Sequence, residues 1–216
     1  MVKTGLIAFL IMVTGAVLTA APPAVASTGP GLFGSREIRS TNLALFSKWT
    51  GMLKRFERRH PAADCQPSRV RRCYFQEWAK FRDQIRDLPL AQKLDVINAH
   101  LNQAVYITDM YNWGVPDYWE TPGEFLRRDG DCEDYAIAKY FTLRALGFDP
   151  AKMRIVVLQD LNLRVSHAVL AVFVGGHRLI LDNQIPTVVE DTAIYHYRPI
   201  YSINEQAWWL HKQPKN

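Results

Sequence analysis

Cysteine is scarce in this sequence, three in 216 residues, which excludes a small fold stapled by disulfides in place of a core. A strong charge of one sign is also missing. Lys and Arg number 26 against 21 Asp and Glu, a formal excess of +5, too small to mark a nucleic-acid binder. The basic runs at Lys54, Arg55, Arg58, Arg59 and at Arg69, Arg71, Arg72 are of the kind that form solvated helix faces. After the first 26 residues no apolar run is long enough to cross a bilayer, and there is no internal repeat or low-complexity tract. Against these absences stands a chain of ordinary domain length with 48% hydrophobic residues, enough to build a packed core.

The first segment has one basic residue, Lys3, an apolar run from Gly5 to Ala21, Pro22-Pro23, and then Ala24-Val25-Ala26. A positive start, an apolar middle and a small-x-small ending describe a secretory signal over residues 1–26. The alternative is an uncleaved anchor, since Gly5–Ala21 is at the lower limit of a spanning helix. On the signal-peptide reading, residues 27–216 form a single exported domain that spans no membrane. In an oxidising compartment an odd cysteine count leaves one thiol over. Cys65 and Cys73 lie eight residues apart in a loop-like stretch and are expected to pair, leaving Cys132 free. A zinc site from His60, Cys65 and Cys73 is the alternative, and it lacks an evident fourth ligand.

Periodicity supplies the architecture. Leu43, Phe46, Trp49, Leu53 and Phe56 recur at helical spacing and predict a helix ending near His60-Pro61. Trp78, Phe81 and Ile85 predict a second over Phe75–Arg86, and Leu94, Ile97, Leu101 and Val105 a third from Pro89 to about Tyr106, with proline where it costs least. An aromatic, turn-rich stretch from Asp109 to Pro122 precedes a helix from Asp131 to Leu146, closed by Gly147 and Pro150. Strands are predicted at Met153–Leu158, Val165–Val174, Arg178–Leu181 and Ile194–Ser202, with Gly175-Gly176 as a hairpin turn. Helices first and strands afterwards give an α+β domain with an antiparallel sheet.

The chemistry centres on Gly130-Asp131-Cys132-Glu133-Asp134-Tyr135. Asp131 has the form of an N-cap with Asp134 three residues on, which puts Cys132 at the first helical position. There it faces unpaired backbone amides and the positive end of the helix dipole, which favour a thiolate. A buried structural cysteine is the plain alternative. His167 opens one predicted strand and Asp182 follows another. If Gly175-Gly176 is a two-residue turn, Val174 pairs with His177 and the register carries Asp182 opposite Val169. Asp182 then shares a face with His167 and can orient its imidazole.

Asn98, Asn102, Tyr106 and Asp109, then Trp113-Gly114, Asp117-Tyr118-Trp119, Thr121-Pro122 and Glu124, then Gly130 to Ala136 with Lys139-Tyr140, together with Ser166 to Leu170 and Leu181-Asp182-Asn183, resemble the bacterial transglutaminase-like cysteine peptidases. The resemblance spans about residues 90–202. It implies a transglutaminase-like or papain-like core with a nucleophile at Cys132, a base at His167 and an orienting carboxylate at Asp182. It also implies a calcium-dependent periplasmic protease that cuts a large surface adhesin and is held by an inner-membrane receptor sensing cyclic di-GMP. The pair Cys65 and Cys73 is outside the motifs that carry the resemblance.

Asp131, Glu133 and Asp134 crowd the thiol with like charge and oppose the dipole. A hard cation would relieve that conflict, so the resemblance points to Ca2+ held by these three residues. The oxyanion is expected to meet the backbone amide of Cys132 and a second donor, sought at Asn102 or within Trp113–Trp119. Acyl transfer to an amine uses the same triad, and an exported binding module with a vestigial triad is the non-enzymatic alternative.

Overall fold

The computed structural model describes residues 31–58, 68 and 73–213. The expected signal segment and Cys65 lie outside the described residues. Cys73 is disulfide-bonded and Cys132 is free. Among the described residues no helix is long and apolar enough to cross a membrane.

The molecule is an α+β domain. Among the described residues strand β1 (Arg36–Ser40) precedes six α-helices: α1 (Ser47–Arg58), α2 (Tyr74–Ile85), α3 (Leu90–Leu101), α4 (Asp109–Trp113), α5 (Pro122–Arg128) and α6 (Cys132–Ala145). Six strands then complete the sheet: β2 (Met153–Asp160), β3 (Val165–Val174), β4 (His177–Leu181), β5 (Val189–Glu190), β6 (Tyr197–Ile203) and β7 (Trp208–Lys212). The order across the sheet is β1-β7-β6-β2-β3-β4-β5, and every neighbouring pair is antiparallel.

Three differences from the sequence expectation have local causes. The chain does not run helices first, because β1 precedes them and pairs with β7. In β1 the buried position is Glu37, so the apolar alternation that announces a strand is absent. The third helix ends at Leu101, four residues before Val105, which is 61% exposed and does not extend the apolar stripe. The turn-rich stretch after Asp109 contains α4 and leads into α5, started by a capping box between Thr121 and Glu124 with Pro122 in the first turn. Capping, rather than an apolar stripe, makes α5 a helix.

Helix α6 is buried through every residue from Asp134 to Leu143, so it shows no amphipathic face and sits at the centre of the molecule. It packs on β3 and β2 from one side and on α3 and α5 from the other. Ile137, Tyr140, Phe141 and Leu143 join Ile155, Leu170, Val172 and Leu181 of the sheet in the main core. The opposite sheet face carries a smaller cluster including Val156, Leu158, Val169, Ala171, Ile180 and Tyr197. The hairpin between β3 and β4 turns on Gly175 and Gly176, both at positive φ, as a two-residue turn matched to strand twist requires. Val174 faces His177 and Leu170 faces Leu181.

A buried polar network ties β1 to the sheet. His211 accepts or donates to Ser35 Oγ at 2.7 Å and to Ser202 Oγ at 2.9 Å, and Arg154 bonds Glu37 at 2.8 Å. Burial drives the His211 pKa down to about 4, below the 6.5 of an unfolded chain. Between these values the unfolded state binds a proton that the folded state refuses, so stability is lost as pH falls from about 6.5 to about 4. The loss should be on the order of 3 kcal/mol. Raised carboxylates such as Glu120 act the other way over this range, so the His211 contribution is read by difference: the urea-midpoint advantage of the native sequence over His211→Gln should shrink as pH falls from about 6.5 to about 4.

Candidate active site

The site forms where the N-terminus of α6 meets the start of β3. Asp131 caps α6 and exchanges hydrogen bonds with Asp134 as a capping box, leaving Cys132 in the first turn as its sequence predicts. Gly130 is required here because a Cβ would come within 2.5 Å of the Asp134 carboxylate. Cys132, His167, Asp131 and Glu133 line a common cleft of about 530 Å3, whose other walls include Phe46, Tyr106, Trp119 and Tyr201.

His167 and Asp182 meet as the hairpin register predicts. Their Nε2 and Oδ1 atoms are 2.9 Å apart, and both side chains are 1% exposed. Burial acts to raise the Asp182 pKa, but the His167 bond and charge, the Gln184 amide and the Tyr197 hydroxyl outweigh it and hold the carboxyl below its ordinary value. An ionised Asp182 fixes the imidazole proton on Nε2. Nδ1 then carries the lone pair, which accepts from the Gln184 side-chain amide at 3.4 Å. Lys139, on α6 and 1% exposed, is pushed down to about 7 by burial, which the charge of Asp182 only partly offsets.

The electrostatic conflict at Cys132 is present. Burial first, then the charges of Glu133 and Asp131, push its thiol well above the ordinary value, while the Ala168 backbone amide acts the other way. The thiol donates to Glu133 Oε2 at 3.2 Å. Burial likewise raises Asp131, Glu133 and Asp134, takes Asp109 up to about 6 and takes Glu120 up to about 8.

Asp109 and Asp117 were not identified as ligands from the sequence, and they join this cluster. Carboxylate oxygens of Asp109, Asp117 and Glu133 lie within 4.8 Å of one another, as do those of Asp109, Asp131 and Asp134. Lys48 is ion-paired with Asp117. Oδ1 of Asp109 and Oδ1 of Asp131 are buried without a donor, so the set suits a hard cation that takes oxygen ligands. Asp134 is the least available member, because its two oxygens accept the backbone amides of Glu120 and Asp131.

Asn102 is not placed as an oxyanion donor. Its amide donates to the Asp182 carbonyl at 2.7 Å, and it is not among the residues lining the cleft. One turn earlier Asn98 donates to the carbonyls of Ile185 and Pro186. The two side chains, four apart on α3, anchor the loop that carries Asp182. Trp113 Nε1 is likewise spent, on Glu120 Oε1 at 2.5 Å, whereas Trp119 lines the cleft.

The family model for bacterial transglutaminase-like cysteine proteinases matches residues 61–216. The chain belongs to this family. As a transglutaminase-like cysteine proteinase it is a cysteine peptidase, and the matched region contains Cys132, His167 and Asp182. It is similar to LapG of Legionella pneumophila, with 35% identity and a TM-score of 0.58 over 63% of this chain and 77% of that one. Calcium-bound LapG from the same organism is 31% identical, with a TM-score of 0.59 over 74% of this chain and 86% of that one. An EGTA-treated LapG structure matches at 35% identity and a TM-score of 0.58, over 63% of this chain and 75% of that one. A search of the curated proteins gave no match.

For this proteinase the loop anchor is open to direct measurement. Asn102→Ala leaves the Asp182 carbonyl without its donor and should cost about 1–3 kcal/mol, read as a shift of the urea midpoint. A variant with native stability would show that Asn102 does not hold the loop.

Proposed function

We propose that the protein is an exported endopeptidase in which Cys132 is the nucleophile, His167 the general base and Asp182 the carboxylate that orients it. The observation that carries this is the buried His167–Asp182 bond of 2.9 Å, with His167 and Cys132 lining one cleft. His167 Nδ1 takes the thiol proton and the sulfur attacks the substrate carbonyl carbon. The tetrahedral oxyanion faces the backbone amide of Cys132 at the start of α6. As the C–N bond breaks, the imidazolium returns its proton to the leaving amine and a thioester remains. Water, deprotonated by His167, then hydrolyses the thioester and the thiol is restored.

Calcium completes the proposal. Asp109, Asp117, Asp131 and Glu133 would hold the ion, with Asp134 serving mainly as the cap of α6. When bound, it neutralises the carboxylates that oppose a thiolate at Cys132. The presence of a calcium-bound form of LapG supports this reading, as do the two orphaned carboxylate oxygens.

The setting combines two readings: the leader-like residues 1–26 support secretion, and the resemblance implies a periplasmic location, a large surface adhesin as substrate and an inner-membrane cyclic-di-GMP receptor as partner. A disulfide at Cys73, with Cys65 as the proposed partner, agrees with export to an oxidising compartment.

Cys132→Ala should abolish cleavage of an adhesin N-terminal fragment while leaving the unfolding midpoint close to native. Retained cleavage would sink the assignment. Mass spectrometry of the products separates hydrolysis, which adds one water to a cut chain, from acyl transfer, which joins chains.

Chelation with EGTA should lower both activity and the melting temperature, and added calcium, but not magnesium, should restore them. Asp131→Asn should lose the calcium-dependent rise in melting temperature. A melting temperature indifferent to EGTA would leave the carboxylates as capping residues only.

A further inference from the structure

Asp182 is satisfied on both oxygens. Oδ1 accepts from His167 Nε2 at 2.9 Å and from the Gln184 backbone amide at 2.8 Å. Oδ2 accepts from the Tyr197 hydroxyl at 2.7 Å. Tyr197 lies on β6, separated from β4 by β2 and β3, so this contact joins distant parts of the sheet around one carboxylate. Its ring also stands against the His167 imidazole, with centroids 5.6 Å apart at 59°, and the residue is 5% exposed.

We propose that Tyr197 is a positioning residue for the reaction: its hydroxyl fixes the rotation of the Asp182 carboxylate so that Oδ1 is presented to His167, and its ring walls the imidazole on one side. The proposal rests on the Cys132–His167–Asp182 assignment. A carboxylate bonded through Oδ1 alone could rotate about its last torsion, which is broad, and the imidazole would follow. With Oδ2 tethered from another strand, both oxygens are fixed before substrate arrives, which is the preorganisation that orientation-dependent catalysis needs.

The phenol is suited to this because burial, reinforced by the charge of Asp182, pushes its pKa far above the usual value, so it remains a donor. The charges of Asp160 and Cys132 also act on Tyr197, and that of Asp182 acts on Lys139. The ring packs on Phe33 and His196 as well, a structural role that phenylalanine would preserve.

The test uses the mature chain and needs no substrate. In a Cys132→Ala background, the His167 Nε2–H resonance is followed by 1H–15N NMR. Tyr197→Phe should concentrate charge on Asp182, move that resonance downfield and speed its exchange with water about tenfold or more. Site-specific 3,5-difluorotyrosine at 197, a stronger donor, should move it upfield. With Cys132 present, Tyr197→Phe should slow iodoacetamide labelling of the thiol at pH 7 about tenfold, a fraction of the 10²–10⁴ that acid–base catalysis supplies.

A His167 signal unchanged in Tyr197→Phe would overturn the proposal. If that variant does not fold, an unchanged signal in the difluorotyrosine protein overturns it. Labelling of Cys132 that is insensitive to His167→Ala would instead count against the peptidase assignment, while the NMR comparison would still decide the role of Tyr197.

Discussion

Taking ionisable groups out of water is a demanding constraint on this fold, and it is densest at one place. Glu120, Glu124 and Asp134 are 0–1% exposed and Asp109 is 2% exposed, all close to the first turn of α6. Each carboxylate there needs a donor, and the local structure largely consists of supplying one. Asp134 takes amides from Glu120 and Asp131, Glu124 takes the Thr121 amide, and Glu120 takes the Trp113 indole. These bonds stitch α4, α5 and the intervening loop onto α6, and so they set where the thiol stands. One oxygen each of Asp109, Glu120 and Asp131 is left over, and that of Asp131 belongs to the residue next to the thiol.

The two halves of the site obey opposite electrostatic logic. At Asp182, burial would favour the neutral acid, and three donors overcome it. At Cys132, burial and two carboxylates act together, and one backbone amide opposes them. The His167–Asp182 pair is therefore settled as folded, whereas the proposed nucleophile is held back by its surroundings. A thiol held in this way stays protonated until the charge beside it is neutralised.

Local grammar in the sequence revealed more of the site than of its supports. Gly175-Gly176 set a register that brings Asp182 to His167, because a two-residue turn leaves strand pairing little freedom. Asp131 and Asp134 marked the start of α6 through their spacing alone. Asp109 and Asp117 gave no such signal as ligands, since 22 residues separate Asp109 from Asp131 and only the packing of α4 against the cap joins them. Asn102 was misplaced because an amide near a catalytic motif looks the same whether it points into a cleft or holds a loop. Strand β1 escaped notice because its inward residue, Glu37, is charged and meets Arg154 from β2, a pairing that apolar alternation cannot encode.

Among the described residues the first and last strands are neighbours, with Arg36 opposite Lys212 and Ser40 opposite Trp208. Because they run antiparallel, the beginning of one and the end of the other emerge at the same corner of the sheet. Tension applied through the two ends of the domain would load the Arg36–Lys212 rung first and open the ladder one rung at a time, as a zip, rather than shearing all five rungs together. The domain is therefore mechanically soft along its own chain axis, although its catalytic layer lies several strands away. A translocation or degradation motor gripping either end would meet this ladder first.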